Sequence, residues 1–154
     1  MSTFTNLLFH IIYSTKHRKP AIQLAWQDEL YGYIGGIIRE QKGTLLKIGG
    51  VADHVHLLAK LSPSIAIADV LRVIKANSSK WINERPDVTS RFEWQTGYAA
   101  FSVSESQVPV VTNYIANQAE HHRKKSFEEE FLEILKKHNV TFDPRYVFEQ
   151  EIIQ

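Results

Sequence analysis

The amino-acid sequence predicts an α+β fold on three observations: a nearly unbroken apolar stretch near the N-terminus, two short β-rich runs around a glycine-containing turn, and helical periodicities between and after them. Phe4 to Ser14 (FTNLLFHIIYS) is almost entirely apolar or β-forming, as expected of a strand buried on both faces near the centre of a sheet. After the basic run Lys16 to Lys19 and Pro20, Trp26, Leu30, Tyr33 or Ile34, and Ile37 recur at helical spacing up to about Gln41. Gly35-Gly36 weakens that helix without cancelling it, and Gly43 ends it. Thr44 to Ile48 and Val55 to Ala59 then read as an antiparallel hairpin across Gly49 to Asp53.

Ser64, after Pro63, is placed to cap a second helix carrying Ile67, Leu71, Ile74, Ser78 and Trp81 on one face, closed by Arg85-Pro86. Tyr98 to Val103 resembles a fourth strand. A third helix is expected from near Ser106 to about Lys124, with Pro109 in its first turn, where a missing N–H costs little. Ser126 and Glu129 form a capping box for a last helix, with Glu128 to Glu130 at its positive end and Lys136, Lys137 and His138 at its negative end. The order is the split β-α-β-β-α-β of a ferredoxin-like or RRM-like antiparallel sheet, with helices on one face plus additional C-terminal helices. The second face of such a sheet is expected to be open, and several single-strand nucleic-acid modules use that face.

Composition narrows the chemistry. The 154 residues, 44% hydrophobic and 23% charged, suffice for a core without covalent staples, and the lack of repeats or linkers predicts a single domain over 1–154. With no cysteine, a disulfide scaffold, a thiolate zinc site and a cysteine nucleophile are excluded, which leaves histidine, carboxylate and amide oxygens as candidate metal ligands. A formal charge of +1 gives no global field for a nucleic acid, so basic patches must be local. No basic-then-apolar leader and no apolar run near the roughly 20 residues of a membrane span are present, and a cytoplasmic protein is expected.

The strongest local signal is Asp53-His54-Val55-His56-Leu57-Leu58, because strand alternation puts His54 and His56 on one face and Val55 and Leu57 on the other. Two adjacent imidazoles suit a divalent cation, although an isolated His-x-His is more often ordinary surface. The third helix supplies more: Val108, Val111, Ile115 and Ala119 form its core stripe, with Tyr114, Gln118 and His121 along the flank at i, i+4 and i+7. His121 and His122 also read simply as cations near a helix end. Taken together, two imidazoles and an amide oxygen would hold Mg²⁺ or Mn²⁺ with open positions for phosphate oxygens, and Tyr114 would attack phosphorus in line to give a covalent phosphotyrosine without ATP.

These residues resemble the single-tyrosine transposases of bacterial insertion sequences, the transposase IS200-like family of the His-hydrophobic-His (HUH) endonucleases. Beyond the histidine motif, the resemblance runs through Trp94-Gln95-Thr96-Gly97-Tyr98-Ala99-Ala100-Phe101-Ser102-Val103-Ser104, Tyr114-Ile115-Ala116-Asn117-Gln118-Ala119-Glu120-His121-His122 and Phe142-Asp143-Pro144-Arg145-Tyr146. It implies that His54, His56 and Gln118 are metal ligands and Tyr114 the nucleophile. It also implies single-stranded DNA with hairpin ends as substrate, a 5′-phosphotyrosyl link, and a homodimer in which Tyr114 can serve the partner's histidine pair. Rolling-circle initiators often place a Lys near the tyrosine, and relaxases usually put the tyrosine before the histidines, so the transposase order fits better. Histidine-triad hydrolases need a third His where Leu58 stands.

Candidate phosphate contacts are Lys16 and Arg18 after the first strand, Arg72 and Lys75 on the second helix, and Arg123 beyond the tyrosine, each of which reads equally well as solubilising charge. Trp94 and Tyr98 are candidates to stack on bases or to pack in the core, and alternation does not say which way His10 points. The competing reading is a catalytically silent or domesticated hairpin- or single-strand-binding protein; a metal-binding structural protein is a third.

Overall fold

The computed structural model describes residues 1–148. Its centre is β1 (Leu7–Ser14), which pairs with a strand on each side and whose residues from Leu8 on are almost all buried because both faces of the sheet are covered there. With β2 (Thr44–Val51), β3 (His54–Leu61) and β4 (Ala99–Val103) it forms an antiparallel sheet of order β2-β3-β1-β4. The connections between strands are α1 (Gln27–Glu40) after β1 and α2 (Ile67–Asn83) after β3, which completes the split β-α-β-β-α-β arrangement.

Alternation along the strands sorts the side chains onto two faces. Ile11 and Tyr13 of β1 with Val55, Leu57 and Ala59 of β3 pack under α1 and α2, against Leu30, Ile34, Ile38, Leu71 and Ile74. His10, Ile12, His54 and His56 point the other way. That second face is covered, contrary to the open surface expected: α3 (Val108–Ala116), α4 (Gln118–His121) and α5 (Phe127–Lys137) lie over it, and Ile12, Phe101, Phe127, Ile134 and Leu135 make a second apolar cluster there. The apolar stripe of α5, Phe127, Ile134 and Leu135, had to be buried against something, and this sheet face is what it finds.

The expected third helix is interrupted. Asn117, at φ −102° and ψ 23°, separates α3 from α4, and of the predicted stripe only Ile115 is buried, while Val108 and Val111 are half-buried and Ala119 is exposed. The start of α2 also differs, since Ala66 and not Ser64 is its N-cap and no side chain caps it. Ser126 does cap α5, its side chain accepting from Glu129 N at 3.2 Å.

One glycine decides how closely the tyrosine helix approaches. A Cβ on Gly49 would sit 2.5 Å from Ile115 O and 3.0 Å from Ile115 Cγ2, so only glycine lets α3 settle on β2. Because Gly49 pairs with His56 in the sheet, that approach sets α3 beside the histidine strand. Among the described residues, no helix is long and apolar enough to cross a membrane.

Candidate active site

The histidine strand lies between β1 and β2, with Ile12 and Gly49 opposite His56 and Ser14 and Val51 opposite His54. Both rings are completely buried. His54 Nδ1 is 2.7 Å from Asp53 Oδ1, which leaves Nε2 aimed inward, 3.1 Å from Gln118 Oε1. His56 is anchored from behind by His10, with 2.8 Å between His56 Nδ1 and His10 Nε2, and its Nε2 also points inward. The open question of His10 is thereby answered, for it lies on the site face of β1.

The inward nitrogens meet a carboxylate. Glu130 Oε1 is 3.0 Å from His56 Nε2, 3.5 Å from His54 Nε2 and 3.2 Å from His122 Nε2, while Glu130 Oε2 accepts a short hydrogen bond from the Tyr114 hydroxyl. His122 reaches the same place from one turn beyond Gln118, with 3.1 Å between its Nε2 and Gln118 Oε1, and its Nδ1 lies 2.9 Å from Lys125 O. Gln118 Nε2 donates back to Tyr114 O at 3.4 Å, which ties the two sides of the helix break together. Phe127 stacks on His54 with ring centroids 4.4 Å apart and closes that side against water.

Protonation follows from burial and from the carboxylate. Burial, together with neighbouring imidazoles, lowers His10 to about 3 and His56 to about 4, so both rings are neutral. Burial opposes the charged form of His54 as well, but hydrogen bonds to Asp53 and Glu130 outweigh it and raise the ring to about 9. For Glu130, burial again works against ionisation; contacts with His122, His54 and His56 win and hold the carboxyl well below the usual range. Tyr114 is pushed well above its ordinary value by burial and by its bond to Glu130, so it stands as a neutral phenol.

The structure thus gathers His54, His56, Gln118 and Tyr114, the four residues nominated from the sequence, and adds three that sequence reasoning did not place there: Glu130, His122 and His10. Glu130 left a signal. On α5 the buried positions are Phe127, Glu130, Ile134 and Leu135, so a carboxylate interrupts an apolar stripe, although its place in the first turn also suits the helix dipole. His121, expected on the flank with Tyr114, does pack on that ring at 4.7 Å, but His122 is the histidine that faces the cluster.

The basic candidates divide. Lys16 pairs with Glu93 at 3.2 Å, and Arg18 pairs with Glu128 of α5 and lies over the Phe148 ring at 4.8 Å. Arg72 and Arg123 are exposed beside Asp69 and Glu120, each 3.6 Å away. Lys75 is turned inward, donating to Gln95 O at 3.0 Å and Gly97 O at 2.5 Å, and burial lowers it to about 8. Trp94 packs in the core, and Tyr98 remains exposed.

A model of the family described as "Transposase IS200 like" matches residues 3–118 of this chain. The chain belongs to the IS200-like transposase family. It is 24% identical over 124 residues to the transposase for insertion sequence element IS200 of Salmonella typhimurium, covering 75% of this chain and 78% of that protein. It is 25% identical over 117 residues to the ISDra2 transposase TnpA of Deinococcus radiodurans, covering 73% and 84%. The fold is similar to the crystal structure of a protein assigned as a transposase from Deinococcus radiodurans R1, with a TM-score of 0.62, 24% identity, and 77% and 95% of the two chains covered. It is also similar to a REP-associated tyrosine transposase bound to a REP hairpin, with a TM-score of 0.60, 13% identity, and 79% and 74% covered. The family match of this IS200-like transposase takes in His54, His56, Tyr114 and Gln118; His122 and Glu130 lie beyond its last residue.

Proposed function

We propose that this IS200-like transposase cleaves and rejoins single-stranded DNA at the ends of an insertion sequence through a metal-assisted 5′-phosphotyrosine intermediate on Tyr114. The observation that carries the reading is the convergence of the Tyr114 hydroxyl and the inward nitrogens of His54 and His56 on the two oxygens of one carboxylate. A phenol so placed is within reach of the cation these imidazoles would share with Gln118 Oε1.

The donor set fits a divalent ion: His56 is neutral, with its outer nitrogen engaged by His10 and its inner one directed to the site. Bound Mg²⁺ or Mn²⁺ supplies Lewis acidity that offsets charge developing at phosphorus. The chain's own groups do the rest. Tyr114 Oη forms the new bond to phosphorus, and its proton is already directed at Glu130 Oε2. The P–O3′ bond breaks with its electron pair on the 3′ oxygen, which takes up a proton; the phosphotyrosine conserves the bond energy for the reverse attack by a 3′-hydroxyl. Lys16 and Arg18, which follow the strand end that pairs with His54, and Arg123, next to His122 in sequence, would hold phosphates of the strand.

Convergence within one chain supports an active site assembled in cis, so a homodimer would serve to hold two DNA ends. Hairpin-ended single strands as substrate are supported by the solved relative bound to a REP hairpin. The test is Tyr114→Phe with a labelled hairpin-tailed strand and Mg²⁺ or Mn²⁺. Covalent protein–DNA adducts should vanish while hairpin binding persists, and adducts that survive in the variant reject the reading. Tight hairpin binding by the unmodified protein with no cleavage in either metal would instead establish a catalytically silent binder.

A further inference from the structure

We infer that Glu130 and His122 are ligands of the same cation, adding an imidazole and a carboxylate to His54, His56 and Gln118 and making an imidazole-rich site that prefers a borderline transition-metal ion of the Mn²⁺ or Co²⁺ kind to Mg²⁺. The inference rests on the cation position in the reading above and concerns which atoms surround it.

Spacing is the first argument. At the roughly 2.1 Å bond lengths usual for imidazole and carboxylate ligands, neighbouring donor atoms around one ion lie about 3.0 Å apart in an octahedron and about 3.4 Å apart in a tetrahedron. The donor pairs here are separated by such distances: 3.0 Å for His56 Nε2 and Glu130 Oε1, 3.2 Å for His122 Nε2 and Glu130 Oε1, 3.5 Å for His54 Nε2 and Glu130 Oε1, and 3.1 Å from Gln118 Oε1 to both His54 Nε2 and His122 Nε2. Ligand atoms of His54, His122 and Glu130 all fall within 4.8 Å of one another.

The outer nitrogens give the second. A ligating histidine ordinarily directs its other ring nitrogen to a carboxylate, a carbonyl or another fixed polar group, which selects the tautomer with a free inward lone pair. All three imidazoles here have such a partner: Asp53 Oδ1 for His54, His10 Nε2 for His56 and Lys125 O for His122. A surface histidine closing a helix would need no such arrangement, and His122 has it together with an inward Nε2.

The third argument is Glu130 itself. A carboxylate on the apolar stripe of a helix, 4% exposed, is costly unless charge and hydrogen bonds offset its burial. A divalent cation bound at Oε1 brings two positive charges to that oxygen, and the second oxygen remains on the Tyr114 hydroxyl. The resulting ligand set decides the metal class. Mg²⁺ takes oxygen ligands and retains waters, whereas imidazole-rich sites suit the later first-row ions.

The experiment measures binding without DNA or catalysis. Co²⁺ is titrated into the full chain and followed by its visible d–d absorption, with calorimetric titrations of Mn²⁺ and Mg²⁺, for the unmodified protein, Glu130→Gln and His122→Gln. Expected are one site per chain, Mn²⁺ bound at least about tenfold tighter than Mg²⁺, and a loss of about 10- to 100-fold in Co²⁺ affinity with an altered spectrum in each variant. Should Glu130→Gln fail to fold, judged by far-UV circular dichroism, His122→Gln carries the test, because that side chain is partly exposed. Variants that bind Co²⁺ with unchanged affinity and spectrum, or a site indifferent between Mn²⁺ and Mg²⁺, overturn the inference and leave the proposed function standing. An unmodified protein that binds no divalent ion overturns both.

Discussion

The hydroxyl of Tyr114 on α3 and the carboxylate of Glu130 on α5 are joined by a short hydrogen bond, and the other oxygen of that carboxylate lies 3.0 Å from His56 Nε2 on β3. One side chain therefore links α3, α5 and the histidine strand. Removing either member of the Tyr114–Glu130 pair leaves a buried polar group without its partner. A double-mutant cycle of Tyr114→Phe and Glu130→Gln, followed by urea unfolding, should give a coupling free energy of about 1–3 kcal/mol. A value near zero would show that the contact carries no stability.

Asp53 touches the site only through His54. Without it, His54 Nδ1 loses its acceptor at 2.7 Å and the ring is free to turn or change tautomer. Asp53→Ala should weaken Mn²⁺ binding by about 10- to 100-fold while leaving hairpin affinity near its original value. Calorimetric titration and a gel-shift assay on the same preparation check the two halves.

The approach of α3 to β2 gives a steric prediction. In Gly49→Ala the new methyl would meet the Ile115 carbonyl oxygen at 2.5 Å, and the backbone cannot swing aside as a flexible side chain would. A loss of about 1–3 kcal/mol in stability is expected, with a fall in adduct formation larger than that loss explains, since the displaced helix carries Tyr114. Thermal unfolding and adduct yield are the measurements.

Acid should unfold the protein through its neutral histidines. His10 is lowered to about 3 and His56 to about 4, burial being the main cause for both. The unfolded chain takes up these protons near pH 6.5, before the folded one does. Their contribution is complete above pH 6.5 and is lost as pH falls toward 4, at up to about 1.4 kcal/mol per group per pH unit. His54, raised to about 9, acts oppositely: its contribution is complete below pH 6.5 and is lost as pH rises through 9. Urea midpoints between pH 4 and pH 7 should fall on acidification, and less steeply in His10→Gln.

On the helical side of the sheet, Trp94 Nε1 donates to Ser78 Oγ at 2.9 Å, and Ser78 Oγ donates in turn to Ile74 O at 2.6 Å. Ser78→Ala leaves the buried indole N–H unpaired and should cost about 1–3 kcal/mol, with no effect on metal affinity. Denaturant unfolding beside a Mn²⁺ titration separates the two.

What could be read in advance follows from the range of the interactions involved. Alternation and helical periodicity are local, so β1, the histidine hairpin and α2 were legible, as was the shared face of His54 and His56. The adjacency of Tyr114 and Gln118 was legible as well, because i and i+4 positions stay neighbours even across the break, whereas their approach to the histidine face rested on the family resemblance. The break at Asn117 lies two residues beyond the contact of Ile115 with Gly49, a contact between elements, and no periodicity announces it. The covered second face has the same origin. Glu130 was visible only as one of three consecutive acids at a helix start; which of the three turns inward is decided by the burial of Phe127 and Ile134.

The joint at Asn117 divides labour between two short rods. Tyr114 stands on one and Gln118 on the other, with His122 just past its end, and the bond from Gln118 Nε2 to Tyr114 O stitches the two together. The bend thus lets a phenol and an amide only four residues apart address different atoms, Glu130 Oε2 and His54 Nε2.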